Sequence, residues 1–238
     1  RKYLDRLKGL PLLPCGAGEK FKAPIEHKTG KPLRDWQNLS FTPDQIFAMN
    51  DVVSCVGLKP GPVAKFLVLD IDGSSAVDFC INKGALFSDI GWTILRNNAD
   101  DRLKVVFSVS SKLHNLLQAS DGNVIGKSVL TTKALFRHDS GLIEPAEQIE
   151  LFYGSGQCIV LGEHKSSGGY YQWSGSPSDA DDPSAEWLSV IQACLEAKNK
   201  GIQSSHDCVS EVVQSGPMTP CPICGRDSSS ACTTYVDG

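Results

Sequence analysis

No apolar run in this chain of 238 residues approaches the ~20 residues that a membrane-spanning helix needs. The first residues carry no apolar stretch of the signal-peptide kind. Positive charge is also in deficit: 23 Lys and Arg stand against 27 Asp and Glu, a net charge of −4. A chain basic throughout, the usual footprint of a nonspecific nucleic-acid binder, is thereby excluded. Strand-like and helix-like stretches do not alternate strictly, which points to an α+β fold with mixed or antiparallel sheets. What is present is ordinary globular composition, 41% hydrophobic and 21% charged. The length suffices for one large domain, or for a domain with a small appendage. The chain opens at Arg1 and stops after Gly238, and it reads as an excised fragment.

Nine cysteines are present. Cys15, Cys55, Cys80, Cys158 and Cys194 stand alone in apolar or mixed surroundings, the habit of buried free thiols, so a reducing, cytosolic compartment is expected. Charge is unevenly spread: residues 1–34 hold nine Lys and Arg against three acidic residues, +6, leaving −10 for the rest. A basic arm over 1–40 beside an acidic body is either an edge that meets a polyanion or a solvated surface.

Residues 1–40, rich in Pro, Gly and Lys, are predicted to be extended or looped. Thr42 caps and Pro43 opens a short helix to about residue 50. Strands are predicted over 52–56, 66–72, 92–95 and 103–109, the last two around an exposed hairpin at 96–102. A helix follows Ser74 or Ser75 to 83, and 110–119 is a surface helix or connection. Segments 148–153 and 157–161 read as paired strands about Gly154-Ser155-Gly156, a hairpin signal. A further strand covers 170–173. Asp182 and Pro183 open a helix to about 200, with Trp187, Leu188, Ile191 and Leu195 on one face. Residues 201–220 read as a linker.

The most informative stretch is Phe66-Leu67-Val68-Leu69-Asp70-Ile71-Asp72-Gly73. An apolar run of this length is a buried strand, and residues two apart on a strand share a face. Asp70 and Asp72 therefore stand side by side at its end. Two carboxylates so close repel unless a cation joins them, and a divalent metal engaged in phosphoryl chemistry is its usual form. A solvated acidic turn is the plainer alternative.

Glu150, between Ile149 and Leu151, faces opposite to both. It is either a third ligand on the aspartates' face or part of a wet sheet face. Arg96, Arg102 and Lys104 lie between the two carboxylate segments, with Arg102 and Lys104 on one face of their strand. Cations there suit a triphosphate, or an ordinary exposed hairpin. His164 stands in a Gly/Ser loop before Tyr170-Tyr171-Gln172-Trp173, placed to bind phosphate or to orient the loop.

Taken in order, these pieces resemble the bifunctional primase–polymerase domain of the archaeo-eukaryotic primase superfamily, especially its phage- and plasmid-type members. The resemblance spans about residues 12–175. Gly18-Glu19-Lys20-Phe21-Lys22-Ala23-Pro24 and Thr29-Gly30-Lys31-Pro32-Leu33-Arg34-Asp35-Trp36-Gln37 are similar to the family's opening. Asp70-Ile71-Asp72 is similar to its first motif and Glu150 to the carboxylate of its third. The run from Gln157 to His164, with Tyr171-Gln172-Trp173, is similar to its closing stretch. One departure stands out: the second motif commonly carries Ser-x-His, and here Arg102-Leu103-Lys104 takes its place, as in a subgroup with Arg-x-Lys. His114 is too far along to substitute.

The resemblance implies an RRM-like catalytic core over 1–200 and template-directed nucleotidyl transfer, as DNA primase or DNA polymerase. Asp70, Asp72 and Glu150 would hold two Mg²⁺ or Mn²⁺ ions. Arg96, Arg102, Lys104 and His164 would bind the NTP or dNTP, and Lys22, Lys31, Arg34 and Trp36 the single-stranded DNA template. It further implies a replication role in the cytoplasm of a bacterial or phage-infected cell, with a helicase as domain or partner.

Cys221-Pro222-Ile223-Cys224-Gly225 is a zinc knuckle, and Cys232 supplies a third thiolate. His206 or Cys208 is available as a fourth ligand, or the fourth lies past Gly238, so 221–238 reads as a partial zinc ribbon. Two other functions fit parts of the pattern. In a haloacid-dehalogenase-type phosphatase Asp70 would be the nucleophile and Asp72 the acid/base, with Asp181-Asp182 a poor match to its acidic pair. A non-catalytic zinc-bearing nucleic-acid-binding module is the other.

Overall fold

The alternation along residues 66–72 decides how this molecule is layered. Leu67, Leu69 and Ile71 point to one side of the sheet and Phe66, Val68, Asp70 and Asp72 to the other. The computed structural model describes residues 1–16, 22–119, 122–138, 141–164 and 168–207. They form an α+β fold with one large antiparallel sheet and few helices. One compact unit comprises Arg1–Asn199, and Lys200–Gly238 forms a second. No described helix is long and apolar enough to cross a membrane. Cys208, Cys221, Cys224 and Cys232 lie outside the described residues.

The strands are β1 (Leu12–Cys15), β2 (Cys55–Leu58), β3 (Phe66–Asp72), β4 (Trp92–Arg96), β5 (Ala99–Ser108), β6 (Ser128–Lys133), β7 (Phe136–Arg137), β8 (Ile143–Glu144), β9 (Glu147–Phe152), β10 (Cys158–His164) and β11 (Gly169–Gly175). The helices are α1 (Lys2–Asp5), α2 (Pro43–Phe47), α3 (Ser74–Asn82), α4 (Ser111–Leu116) and α5 (Ala185–Asp207). Nine strands form one sheet in the order β1-β2-β10-β11-β4-β5-β3-β9-β6, and β7 and β8 form a separate hairpin. Every pairing in the sheet is antiparallel.

Helices cover one face. Leu67, Leu69 and Ile71 pack there with Ala76 and Cys80 of α3, Leu113 of α4, and Trp187, Val190, Ile191 and Cys194 of α5. The α5 residues recur at helical spacing and form one apolar stripe. The opposite face holds the second core, in which Val68, Trp92, Val106 and Phe152 meet Leu12, Leu58, Cys158 and Val160. That contact requires the sheet to curl. From Phe152 to Cys158 six chain steps reach roughly 20–22 Å, whereas five flat inter-strand spacings need about 24 Å.

This overturns the hairpin expected about Gly154-Ser155-Gly156. β9 pairs with β3 and β6, and β10 with β2 and β11. The glycines, at φ +84° and +77°, instead turn the chain across the concave side from one wing to the other. Other expectations shift for local reasons. The looped arm contains a fully buried strand, β1, because Pro14 sits on an edge strand and its carbonyl accepts Ile25 N–H. β2 runs through Gly57, expected in a turn; a Cβ there would strike the Gln157 side chain. α2 keeps its Thr42–Gln45 capping box. The start of α5 moves to Ser184, whose Oγ accepts Trp187 N–H at 3.4 Å, while Asp182 accepts Ser110 N–H at 3.1 Å. Helical backbone continues through Asp207, into the stretch read as a linker.

Candidate functional site

The site grows from the register of three neighbouring strands. Asp70 of β3 lies opposite Lys104 of β5 on one side and Glu150 of β9 on the other. Asp72 lies opposite Arg102 and Gln148. Directly opposed residues of antiparallel strands share a face. Two cross-strand rows, Lys104–Asp70–Glu150 and Arg102–Asp72–Gln148, therefore stand side by side on the concave face. That face is apolar through Phe66 and Val68 and becomes charged at Asp70.

Each carboxylate meets a protein cation. Lys104 Nζ is 2.7 Å from Asp70 Oδ1, Arg102 Nη1 is 2.8 Å from Asp72 Oδ1, and Lys127 Nζ is 2.8 Å from Glu150 Oε1. Gln148 also donates to Glu150 Oε1, at 2.9 Å. Lys104 is only 7% exposed. Burial pulls its pKa down, the Asp70 charge more than offsets this, and the ammonium stays charged. Its Nζ lies 5.5 Å from the centre of the Tyr171 ring. Burial pushes the Tyr171 hydroxyl up to about 12, and the thiol of Cys158, which faces Asp70 and Glu150 from β10, also goes up.

A second cluster adjoins the first. Arg96 Nη1 and His164 Nε2 lie 3.1 Å apart. Burial, then the charges of Lys22 and Arg96, lower the His164 pKa to about 4, so the ring is neutral near pH 7 and accepts from Arg96. Lys22 has its own pKa lowered by desolvation and by Lys104, against the pull of Asp70 and Asp72. Lys22, expected on a template arm, therefore belongs to this cationic cluster. Arg96 Nε is buried and meets no acceptor among the described residues.

The remaining template candidates fall elsewhere. Lys31 and Arg34 are exposed in the loop before the short helical turn Trp36–Asn38. Trp36 is half-buried and lines a cavity of about 610 Å³ with Lys59, Pro60, Pro62 and Gly154. That cavity lies where β3 begins, at the far end from Asp72. Asp182 bonds Ser108 and Ser110 at the same far end, since Ser108 pairs with Phe66. Asp181-Asp182, the pair weighed for the phosphatase alternative, therefore lies away from Asp70.

Three carboxylates on one face supply the hard oxygen donors that Mg²⁺ or Mn²⁺ prefers. Among the described residues no three ligating groups converge on one point. Lys104, Arg102 and Lys127 hold the carboxylates instead, the places a divalent ion would take. The donor set fits the metals in kind.

Sequence reasoning missed Lys127, Gln148 and Tyr171. Gln148 was legible, lying two residues from Glu150 on the same strand. Lys127 was hidden because β6, which carries it to Glu150, has no strong strand pattern in sequence. Comparison with known proteins adds nothing to this geometry: no protein-family model matches the chain, and no curated protein matches it.

Proposed function

We propose that this chain is a metal-dependent nucleotidyltransferase, a DNA primase or template-directed DNA polymerase with a primase–polymerase-like core. The observation that carries the reading is the pair of adjoining rows, three carboxylates bordered by Lys104 and Arg102 with Lys22, Arg96 and His164 beside them. Acidic and cationic halves at contact distance suit a substrate that brings both a metal and a polyphosphate.

Asp70, Asp72 and Glu150 hold the Mg²⁺ or Mn²⁺ ions. When bound, the ions make a 3′-hydroxyl a better nucleophile and offset charge on the phosphates. Lys104 and Arg102, released from the aspartates, bind the β- and γ-phosphates of an NTP or dNTP. The buried Arg96 Nε is a donor in want of an acceptor, and a phosphate oxygen supplies one. His164, neutral, holds Arg96 in place without adding charge. Lys31 and Arg34 guide the single-stranded DNA template. The Cys221, Cys224 and Cys232 thiolates hold Zn²⁺ in an appended module, a helicase acts as domain or partner, and the site of action is bacterial or phage-infected cytoplasm.

The test is extension of labelled nucleotides on a single-stranded template with Mn²⁺ or Mg²⁺, with and without primer. Asp70→Ala and Glu150→Ala abolish product if the reading holds. Product from either variant overturns it. Metal-dependent nucleotide binding by calorimetry separates an enzyme from a purely DNA-binding module.

A further inference from the structure

We propose that the outer edge of β6, with the groove between β6 and α3, binds an extended basic segment of a partner protein by strand addition. β6 is the last strand of the sheet order and pairs with β9 alone. No described strand takes its outer backbone groups. An edge strand is normally guarded by lysine, proline or a bulge. Ser128-Val129-Leu130-Thr131 has neither lysine nor proline, and the bulge comes only between Thr131 and Lys133. Lys133 is drawn aside to Glu144 and Glu147.

The groove gives the edge a specificity element. It measures about 410 Å³ and runs between Leu130 and Thr132 of β6 and Ser75, Asp78, Phe79 and Asn82 of α3. Those four recur at helical spacing, so α3 turns one stripe toward the edge strand. Ser75 Oγ and Thr132 Oγ1, 2.7 Å apart, close the groove at the end nearer Glu147. A strand added to β6 sends every second side chain into this space. Phe79 and Leu130 suit an apolar side chain. Asp78 is the one charged residue of the lining, and it calls for Lys or Arg two positions away. A second copy of the chain would offer another Asp78 instead of a cation. Beside the edge, the β7–β8 hairpin leaves Leu135, Phe136, Leu142 and Ile143 exposed, apolar surface for a longer partner to cover.

The groove lies on the helical side of the sheet. Leu130 pairs with Ile149, on the face opposite Glu150, so the proposal stands apart from the chemistry of the carboxylates.

The test is to pan a phage-displayed library of random dodecapeptides on the full chain, then synthesise the enriched peptides. The expected peptides place Lys or Arg two residues from a bulky apolar residue and slow amide exchange in β6. Asp78→Lys weakens them about tenfold or more, and Asn82→Trp, which fills the groove from an exposed position, abolishes binding. Circular dichroism confirms that both variants fold. Failure to enrich any peptide over a bare surface overturns the proposal, as does protection confined to other strands. A peptide-free dimer in light scattering, with β6 amides already protected, assigns the edge to a second copy and equally overturns it.

Discussion

Lys104 and Asp70 are held 2.7 Å apart on a nearly dry part of the sheet. Removing one partner of a buried pair leaves an uncompensated charge, at a cost of about 3–5 kcal/mol. Lys104→Met is therefore expected to unfold at lower urea, by about 3 kcal/mol given the partial exposure of Asp70. If the carboxylates take a metal, Mn²⁺ raises the melting temperature of Lys104→Met more than that of the parent chain. Equal shifts in a thermal scan would remove that support. His164 makes a second residue-scale prediction. Its folded pKa, about 4, lies below the ordinary ~6.5, so the unfolded chain binds the extra proton first. Stability is complete above about 6.5 and declines as pH falls toward 4, by up to about 3 kcal/mol. His164→Gln flattens this slope in denaturation curves across that range. Arg96→Gln raises the His164 pKa read from its imidazole resonances, because it removes a cation that opposes protonation. At this scale the sequence was informative where alternation applied. Asp70, Asp72 and Glu150 share a face as the period of two requires, and Arg102 and Lys104 lie opposite the aspartates. Lys22 joins the same cluster through tertiary folding of the arm, which no local pattern encodes.

Helix α3 begins directly after Asp72, and its first turn is tied to β9. Glu147 Oε2 accepts Ser75 N–H at 2.7 Å, and this bond holds the Glu147 pKa below the ordinary carboxylate range. The carboxylate thus caps a helix from a neighbouring strand, with the favourable sign for a helix N-terminus. Gly73 joins strand to helix at φ +103°, and a Cβ there would lie 2.4 Å from Glu147 Cγ. Gly73→Ala is expected to cost about 1–3 kcal/mol in urea unfolding, and Glu147→Ala about 1 kcal/mol. Glu147→Gln, which keeps an acceptor, loses less. Elements with a strong local signature were legible: β3 from its apolar run, α2 from its capping box, α5 from its apolar stripe. β6 was not, because Ser128-Val129-Leu130-Thr131-Thr132-Lys133 is polar enough to pass for a loop and gains its strand character from β9. The Gly154–Gly156 turn was misread because a hairpin and a crossover between curled wings need the same left-handed glycines. Only the pairing of distant strands tells them apart.

Over the whole molecule, both cores share β3, so a defect on either side of it is felt throughout. Leu69→Ala, which opens space under α3 and α5, is expected to cost about 2–5 kcal/mol, checked by denaturant unfolding. Five described thiols lie inside these cores, and burial pushes Cys15, Cys80 and Cys194 up to about 12. Native protein treated with Ellman's reagent should leave all five unlabelled on the timescale in which the denatured chain reacts fully, as read by peptide mass mapping. Fast labelling of any of them in the native chain would contradict this packing. The order of strands also sets a timetable. Cys55 of β2 finds its partner at Gly162 of β10, 107 positions later. At ribosomal speeds of about 5–20 residues per second, β2 waits roughly 5–20 s for that partner to be made. During the wait it has only β1, and two strands alone are marginally stable in water. The nascent chain thus carries an open, apolar strand edge while those 107 residues are made, the stage at which a wrong chain can pair with it.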